Sequence, residues 1–490
     1  MTNKVDFGVL YGQKTTEDSL LIYSSYEDAK ASPQTGDFIV LTPKDEGNTK
    51  YLARVEAEIY DEDPIFKSQD KTLIAVHYAR IAERELSERD KQKMFSYTYK
   101  VRILGTFTDT GTAISFTTAV RKLPVVSYIA RHLNKREIES ILNRENENGI
   151  AIGHLCVGET VFRDKGQILF KIDKLRNKRT MIFAQSGFGK TNLVKVLLYH
   201  MTGNNSYGKL VFDLNGEYFL RGTSTYGLGD IDDDSIKKNV VVYSDKVLPP
   251  EYQNTDRFIF GGKVLLNMHK HLTVGDILNF GAGFSEVMRS FLLYLDEEGV
   301  GDFIQNIDSY ANDPAKLHQD FSDFFGQMKQ GKEDVSARKT VMAIRKRVRH
   351  LIDEGKGLHS GTSNLVENVF DCLKQGKTVI IDLSLKDNLD ASIISTILVR
   401  KLFDNNKAQF TSGNAKEVIN TVVFVEEAQN VLSEEFVKSN ANPFVRVAKE
   451  GRKFGLGLVA ITQRPSAISE EIRTQAENFF AFHMGNSDDI

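Results

Sequence analysis

The stretch at residues 184–191, Ala-Gln-Ser-Gly-Phe-Gly-Lys-Thr, has the residue types and spacing of a phosphate-binding loop. An apolar run at 180–183 precedes it and an apolar-rich run at 192–198 follows it, which predicts a strand, a tight glycine loop and a helix. In such a loop backbone N–H groups surround phosphate oxygens, the lysine reaches the β- and γ-phosphates, and the threonine hydroxyl meets Mg²⁺. The residues predicted to bind the nucleotide are Ser186, Gly187, Phe188, Gly189, Lys190, Thr191 and Asn192.

One position of this loop departs from the usual pattern. Ala184 stands first, where the pattern has glycine, whereas Gly187 and Gly189 keep glycine where the backbone approaches phosphate. Alanine costs little at the end of a strand if its φ is negative. We therefore expect a working loop, with Ala184 as the first position to inspect for strain or altered nucleotide affinity.

Two consecutive acids, Glu426 and Glu427, follow an apolar run at 421–425. Beside a phosphate loop, the first carboxylate would hold Mg²⁺ together with Thr191, usually through water. The second would orient and deprotonate the attacking water. Most such sites have aspartate first, and Glu426 is one methylene longer, so a slightly different metal shell is expected. A pair of solvated acids is the alternative, but the upstream loop favours hydrolysis of ATP with Mg²⁺.

Gln463 ends the next predicted strand, at residues 457–462. A polar side chain at this point can hydrogen-bond to both the γ-phosphate and the lytic water, which predicts a sensor role. The alternative is that this segment is only a turn that begins at Arg464 and Pro465.

A basic segment lies between the acidic strand and the sensor strand. Its cations are Arg446, Lys449, Arg452 and Lys453. A guanidinium supplied by a neighbouring subunit stabilises charge on the transferring phosphoryl group and is worth ~10³–10⁵ in rate. The spacing does not choose among the four residues, and without further information a solvated basic face is the favoured interpretation.

Three runs stand in an informative order: Glu-Glu-Ala-Gln-Asn at 426–430, Glu-Gly-Arg-Lys at 450–453 and Gln-Arg-Pro at 463–465. Together they resemble the HerA family, ring-forming DNA translocases of the HerA–FtsK branch of P-loop ATPases. The run at 213–218, Asp-Leu-Asn-Gly-Glu-Tyr, is similar to that family's Asp-x-x-Gly-Glu-Tyr element. The resemblance implies that Arg452 is a finger acting in trans. Gln429 departs from the family, in which histidine is common there.

The resemblance also implies an assembly and its partners. It implies a homohexameric ring with ATP at each interface, double-stranded DNA as the substrate, and a partner that docks on an N-terminal barrel. That partner would be a nuclease in DNA end processing, or an NAD-consuming effector in bacterial antiviral defence. Because the sequence has no recognisable nuclease or sirtuin motif, such an activity would come from the partner. The alternative is an ATP-dependent scaffold that activates the effector without obligatory translocation. A conjugation or secretion ATPase is less favoured.

Composition bounds these interpretations. With 490 residues, 41% of them hydrophobic and 26% charged, the chain has room for two or three globular domains. A net charge of −3 gives no global basic field, although a channel can still concentrate basic residues locally. No apolar run approaches the ~20 residues that span a bilayer, and the N-terminus lacks a secretory pattern. Cys156 and Cys372 are predicted to be buried thiols. These features predict a cytoplasmic protein without membrane contact.

Strand and helix patterns predict two domains. Residues 1–165 contain many short β-like runs, which predict a small all-β barrel or sandwich. The resemblance to the HerA family implies the barrel. Residues 166–490 alternate strands and helices, and several strands lack polar alternation, as expected for a parallel sheet buried on both faces. We predict an α/β fold with a RecA-like P-loop core, interrupted at about 262–375 by a helical insertion.

Two further segments give weaker expectations. Residues 336–353 combine an apolar stripe with basic flanks, so this helix would face DNA or a neighbouring subunit, or would be an ordinary solvated helix, which we favour. The sequence ends at residues 485–490, directly after a strand-like run. Because family members usually continue further, we expect a C-terminally truncated chain.

Overall fold

The computed structural model describes residues 6–13, 19–25, 33–44, 48–60, 96–143, 148–157, 160–161, 167–222, 225–253, 256–280, 283–295, 297–325, 333–354, 357–439 and 442–484. The chain divides into two compact units, Met1–Lys171 and Ile172–Ile490. This division lies a few residues after the one predicted at 165/166. The predicted truncation concerns residues 485–490, which lie outside the described residues.

The N-terminal unit contains a small closed barrel, which confirms the predicted class. Its strands are β1 Asp6–Gln13, β2 Ser19–Ser25, β3 Phe38–Thr42, β4 Thr49–Tyr60, β5 Ser96–Asp109, β6 Ile114–Thr117 and β7 Ile129–His132. The ring runs in the order β2-β1-β7-β3-β4-β5 and closes because β5 pairs with β2, while β6 extends the sheet beside β5. Closure removes the open edges at which sheets pair with other chains.

Burial on both faces of β3 explains how the barrel is covered. Ile39 and Leu41 belong to the barrel core, whereas Val40 belongs to a second buried cluster. Successive side chains of a strand face opposite sides of the sheet. The second cluster also contains Ile141 of the π-helix Ile138–Leu142, so this helix covers one outer side of the barrel.

Short elements complete this unit. They are α1 Lys135–Glu137 and the strands β8 Ile150–His154, β9 Cys156–Val157, β10 Thr160–Val161 and β11 Gln167–Phe170. Strands β8 and β11 form one antiparallel pair, and β9 and β10 form another. Glu137 is fully buried and receives two hydrogen bonds from the Arg131 guanidinium, a geometry that compensates the burial of both charges.

An eight-stranded parallel sheet forms the centre of the second unit, as predicted. Its strands are β12 Arg179–Phe183, β13 Gly208–Asp213, β14 Val240–Tyr243, β15 Ile259–Gly262, β16 Thr378–Asp382, β17 Thr421–Val425, β18 Leu456–Thr462 and β19 Asn478–Ala481. They lie in the order β15-β14-β16-β13-β17-β18-β12-β19. Every residue of β13, β14, β16, β17 and β18 is buried. Because the strands are parallel, their carboxyl ends all lie at one edge of the sheet, where such sheets bind ligands.

Helices connect and cover these strands. They are α2 Lys190–Thr202, α3 Asp234–Asn239, α4 Met268–His271, α5 Val274–Phe280, α6 Glu286–Tyr294, α7 Glu297–Gln305, α8 Ile307–Asn312, α9 Pro314–Asp320, α10 Ser322–Phe325, α11 Glu333–Ile352, α12 Leu365–Lys374, α13 Asn388–Thr411, α14 Gln429–Leu432, α15 Glu434–Ser439, α16 Pro443–Glu450 and α17 Glu470–Thr474. Helices α4 to α12 lie between β15 and β16 and form the predicted insertion. Its buried side chains join the hydrophobic core of the sheet in one cluster.

Basic side chains of helix α11 make contacts within the same chain. Its apolar stripe is buried, as shown by Val341 and Ile344 at 0% exposure. Arg345 forms ion pairs with Asp308 at 2.7 Å and Asp353 at 2.6 Å. Arg345 is therefore neutralised by neighbouring acids, whereas the wider role of this basic face stays a prediction.

The structure also bears on the expectations about membrane-spanning segments and about the two cysteines. Among the described residues, no helix combines the length and apolar character needed to cross a membrane. Cys156 is exposed and Cys372 is partly buried. The prediction of two buried thiols is therefore wrong for Cys156, because β9 belongs to a small two-stranded ladder that offers little cover.

Candidate active site

The predicted phosphate loop joins β12 to α2 at the carboxyl edge of the sheet. Gly187 and Gly189 have φ values of 86° and 90°, a region that glycine adopts without steric cost. Ala184 is buried and does not have a positive φ, and its N–H donates to the carbonyl of Thr462 at 3.2 Å. Alanine therefore fits this position without backbone strain.

The loop side chains differ in exposure. Ser186, Phe188 and Asn192 are exposed, whereas Lys190 and Thr191 are half-buried. The exposed backbone at 186–189 is open to an incoming phosphate group, and α2 begins at Lys190, so the positive end of a helix dipole lies behind the loop.

Lys190 and Glu427 meet at this edge. The Lys190 Nζ lies 3.8 Å from Oε1 of Glu427. Strands β12 and β17 flank β18, so residues that follow the three strands are brought together although they are far apart in sequence. The side chain of Gln463, which follows β18, reaches the same carboxylate and donates from Nε2 to its Oε1 at 3.0 Å.

Glu427 is held by a network that the sequence did not predict. Its Oε2 accepts from Nε2 of Gln429 at 2.7 Å, and Oε1 of Gln429 accepts from the Thr462 hydroxyl at 2.6 Å. Glu427 also has a φ of 45°, which costs a non-glycine residue about 1–2 kcal/mol. A strained acid whose two oxygens are both fixed is typical of a functional site. The only sequence signal for Gln429 was its departure from histidine.

Glu426 points into a different environment from its neighbour. Its Oε1 accepts from the Tyr218 hydroxyl at 2.7 Å, and its Oε2 accepts from the N–H of Leu214 at 3.2 Å and from Asn215 at 3.3 Å. Burial, together with the nearby charge of Asp213, raises the pKa of Glu426 to about 7.

These partners come from the Asp-x-x-Gly-Glu-Tyr element after β13. Asp213 is fully buried and accepts from the backbone N–H groups of Gly216, Glu217 and Tyr218. Burial raises the pKa of Asp213 to about 6. Asp213 thus folds the loop back on itself and places Tyr218 against Glu426, a role for Tyr218 that sequence analysis missed.

The residues predicted to hold Mg²⁺ have suitable chemistry. Thr191 and Glu426 offer oxygen atoms, which Mg²⁺ prefers. Each carboxylate oxygen can accept more than one hydrogen bond, so Glu426 can also accept from a metal-bound water. Within the described part of the chain, no cluster of three or more His, Cys, Asp or Glu side chains could hold a metal.

Arg452 lies far from this constellation. It is exposed on the 3₁₀ turn Gly451–Phe454, which precedes β18, whereas the phosphate loop follows β12. The two strands are parallel neighbours, with Phe183 opposite Thr462. Because β18 has seven residues, it separates the two edges by about 20 Å. Arg452 therefore lies at the opposite edge of the sheet from Lys190 of the same chain.

The surroundings distinguish Arg452 from the other basic candidates. Arg446 pairs with Asp404 at 3.0 Å, Lys449 pairs with Glu471 at 3.0 Å, and Lys453 lies over an aromatic ring. Arg452 instead projects from the surface, near Glu477. The pKa of Glu477 is lowered, because burial, which would raise it, is outweighed by hydrogen bonds from Arg179 and by the charges of Arg179 and Arg452.

Comparison with known proteins decides the family. A family model described as helicase HerA, central domain, matches residues 152–402, just over half of the 490 residues. The chain belongs to the HerA family. The predicted resemblance is thereby confirmed, and with it the class of P-loop ATPase. A second model, described as zonular occludens toxin (Zot), matches residues 334–485.

Relatives within the HerA family are distant but extensive. A probable helicase of Methanocaldococcus jannaschii is 22% identical over 454 residues, 92% of this chain and 77% of that protein. The DNA double-strand break repair helicase HerA of Sulfurisphaera tokodaii is 24% identical over 363 residues, 74% of this chain but 64% of that protein. The chain thus spans somewhat less than two thirds of the second relative. Among solved structures, VirB4 of Thermoanaerobacter pseudethanolicus aligns at a TM-score of 0.36 and 14% identity, over 69% of this chain and 85% of that chain, which adds nothing to the family assignment.

Proposed function

We propose that this HerA-family protein hydrolyses ATP with Mg²⁺ and uses the energy to move along double-stranded DNA as a homohexameric ring. The observation that carries the proposal is the division of the site between two edges of one sheet. Lys190, Glu427 and Gln463 converge at one edge, while Arg452 is exposed at the other.

Each residue of the first edge has a distinct role in this proposal. The backbone of residues 186–189 cradles the phosphates, with Asn192 at the start of α2, and Lys190 neutralises the β- and γ-oxygens. Thr191 and Glu426 hold Mg²⁺, which neutralises phosphate charge when bound. Glu427 orients and deprotonates the lytic water, and Gln463, which already contacts Glu427, senses the γ-phosphate.

Arg452 completes the site of a neighbouring subunit. A guanidinium about 20 Å from its own phosphate loop, counted along β18, cannot stabilise charge there. In a closed ring each subunit presents its nucleotide edge to one neighbour and Arg452 to the other. In a closed ring every nucleotide edge therefore meets Arg452 of a neighbour, whereas a monomer leaves its nucleotide edge without this arginine. This supports a closed ring rather than a monomer.

Subunit mixing tests this arrangement. Arg452→Ala should lower ATP turnover by about 10³–10⁵ and leave binding of a fluorescent ATP analogue intact. Adding Glu427→Ala subunits, which keep Arg452, should restore part of the turnover, because each mixed interface of the right order contains one complete site. Failure to restore turnover at any mixing ratio would contradict action in trans.

A second function, an ATP-dependent scaffold, is supported by the surface of the barrel. Val9, Tyr11 and Tyr23 are exposed by 41–45%, and the two tyrosine rings contact edge to face with centroids 6.3 Å apart. Such a patch suits a protein partner, and a nuclease or an NAD-consuming effector of antiviral defence is proposed to dock there, in the cytoplasm. Stimulation of ATP turnover by long duplex DNA would favour the translocase. Turnover indifferent to DNA, with effector activity gained on ring assembly, would favour the scaffold.

A further inference from the structure

The side chain of Asn406 is a fully buried amide on the C-terminal half of α13. Its Nδ2 donates to the carbonyl of Ile419 at 3.0 Å and to the carbonyl of Phe454 at 2.9 Å, and its Oδ1 accepts from the N–H of Ile419 at 3.0 Å. A buried amide with its polar atoms satisfied in this way rigidifies the segments that it joins.

Those two segments lead to the two halves of the proposed site. Ile419 lies just before β17, the strand that ends at Glu426 and Glu427. Phe454 ends the 3₁₀ turn that carries Arg452. Asn406 is thus a single side chain that connects the entry of the acidic strand with the arginine turn.

Aromatic contacts support the same turn. The ring of Phe454 contacts Phe403 and Phe410 of α13 edge to face, with centroids 5.2 Å and 5.5 Å apart. The Lys453 ammonium lies 5.4 Å from the centre of the Phe410 ring. Lys453 and Phe454, the two residues that follow Arg452 in the turn, therefore both pack against α13.

We propose that Asn406 is a positioning residue that fixes the turn of Arg452 for its contact with the neighbouring subunit's nucleotide. This inference rests on the proposed role of Arg452 in trans. A four-residue 3₁₀ turn has weak hydrogen bonds of its own, so its placement depends on what packs beneath it. Misplacement of a reacting group by about 1 Å costs roughly 10²-fold in rate, so the support must be rigid.

The test uses Asn406→Asp in the full chain. Aspartate keeps an acceptor for the N–H of Ile419, but it has no donor when ionised and one O–H when protonated, so at least one of the carbonyls of Ile419 and Phe454 loses its hydrogen bond. We expect ATP turnover to fall about 10²-fold with binding of a fluorescent ATP analogue unchanged. Mixing with Lys190→Ala subunits, which have intact arginine turns but inactive loops, should restore turnover. Restoration is a readout that general destabilisation would not produce.

A matched control is Asn143→Asp. Asn143 is a buried amide that bridges Gln167 and Leu169 through the same kinds of hydrogen bond, and its substitution should leave turnover per folded subunit unchanged. If Asn406→Asp does not fold, Phe410→Ala replaces it, because Phe410 is 41% exposed. We expect a smaller loss of about tenfold, also restored by Lys190→Ala subunits.

The outcomes separate this inference from the function on which it rests. Full turnover by folded Asn406→Asp, or by Phe410→Ala where that variant stands in, overturns the inference. The inference is also overturned if Lys190→Ala subunits restore the ATP turnover of Arg452→Ala but do not restore the turnover of Asn406→Asp or its substitute. If Arg452→Ala is itself not restored, the role of Arg452 in trans fails, and the inference about Asn406 fails with it.

Discussion

Gln463 donates a hydrogen bond to Oε1 of Glu427 at 3.0 Å, across two neighbouring strands of the sheet. The same oxygen lies 3.8 Å from the ammonium of Lys190. One carboxylate thus links the phosphate loop to the proposed γ-phosphate sensor. Binding of ATP at Lys190 would therefore directly affect the contacts of Glu427 and Gln463.

Replacement of Glu427 by glutamine should separate binding from hydrolysis. The amide keeps the size and an acceptor oxygen for Gln463 but cannot take a proton from water. We expect ATP turnover to fall by about 10²–10⁴ with ATP affinity retained, measured by steady-state turnover and equilibrium binding. Glu417→Gln, at an exposed acid of the same unit, serves as the control. Equal losses in both variants would contradict a specific role for Glu427.

Gln429→Leu should lower turnover through Glu427. Leucine cannot donate to Oε2 of Glu427 or accept from Thr462, so the carboxylate loses one of its supports. We expect the activation free energy to rise by about 1.5–3 kcal/mol, the range of a hydrogen bond to a charged group. If Gln429 acts through Glu427, the substitution should add little in a Glu427→Gln background, and additive losses in the double variant would speak against it.

Gly216→Ala should destabilise the loop that holds Glu426. Gly216 has a φ of 68°, and an added Cβ would clash with Lys246 and lie 2.8 Å from the Ser384 hydroxyl. We expect a loss of about 1–3 kcal/mol in the free energy of unfolding, together with weaker Mg²⁺ dependence of nucleotide binding. Gly203→Ala is the control, because no atom lies within 4 Å of its added Cβ. Equal unfolding midpoints for the two variants would disprove the expectation.

Lys209 should give the unfolding free energy a distinctive pH dependence. Its ammonium group is buried at the start of β13, and burial lowers its pKa from 10.5 to about 7. Between these values the unfolded chain holds a proton that the folded chain lacks, so stability rises with pH, by up to about 1.4 kcal/mol per pH unit. Denaturant unfolding of wild type and Lys209→Met should therefore diverge in favour of wild type between pH 7 and 9. A difference independent of pH would refute the lowered pKa.

Much of the fold could be predicted because it depends on local patterns. The runs that became β13, β17 and β18 are largely apolar and show no polar alternation, and only a sheet covered on both faces buries them completely. The loop at 184–191 was equally predictable, since glycine spacing is a direct requirement of its backbone. The barrel followed from the spacing of short strands, although its closure by β2 and β5 depends on pairing between distant segments.

The support around the site could not be predicted in the same way. Tyr218 and Glu426 are 208 residues apart, and nothing local indicates that one hydroxyl will meet one carboxylate. The network of Gln429 and Thr462 likewise depends on the order of strands in the sheet. The sequence also did not indicate that Glu427 would adopt a positive φ, because that conformation is imposed by the packing around it.

The central claim is that the loop ending in Lys190 and Thr191 is the site of ATP hydrolysis, and one measurement tests it most directly. Steady-state ATP turnover of Lys190→Ala should be compared with wild type at equal subunit concentration, with Mg²⁺ and long duplex DNA present. We predict that turnover falls to the background of the assay while the unfolding temperature without nucleotide stays that of wild type. Wild-type turnover by the folded Lys190→Ala protein would contradict the assignment of the site.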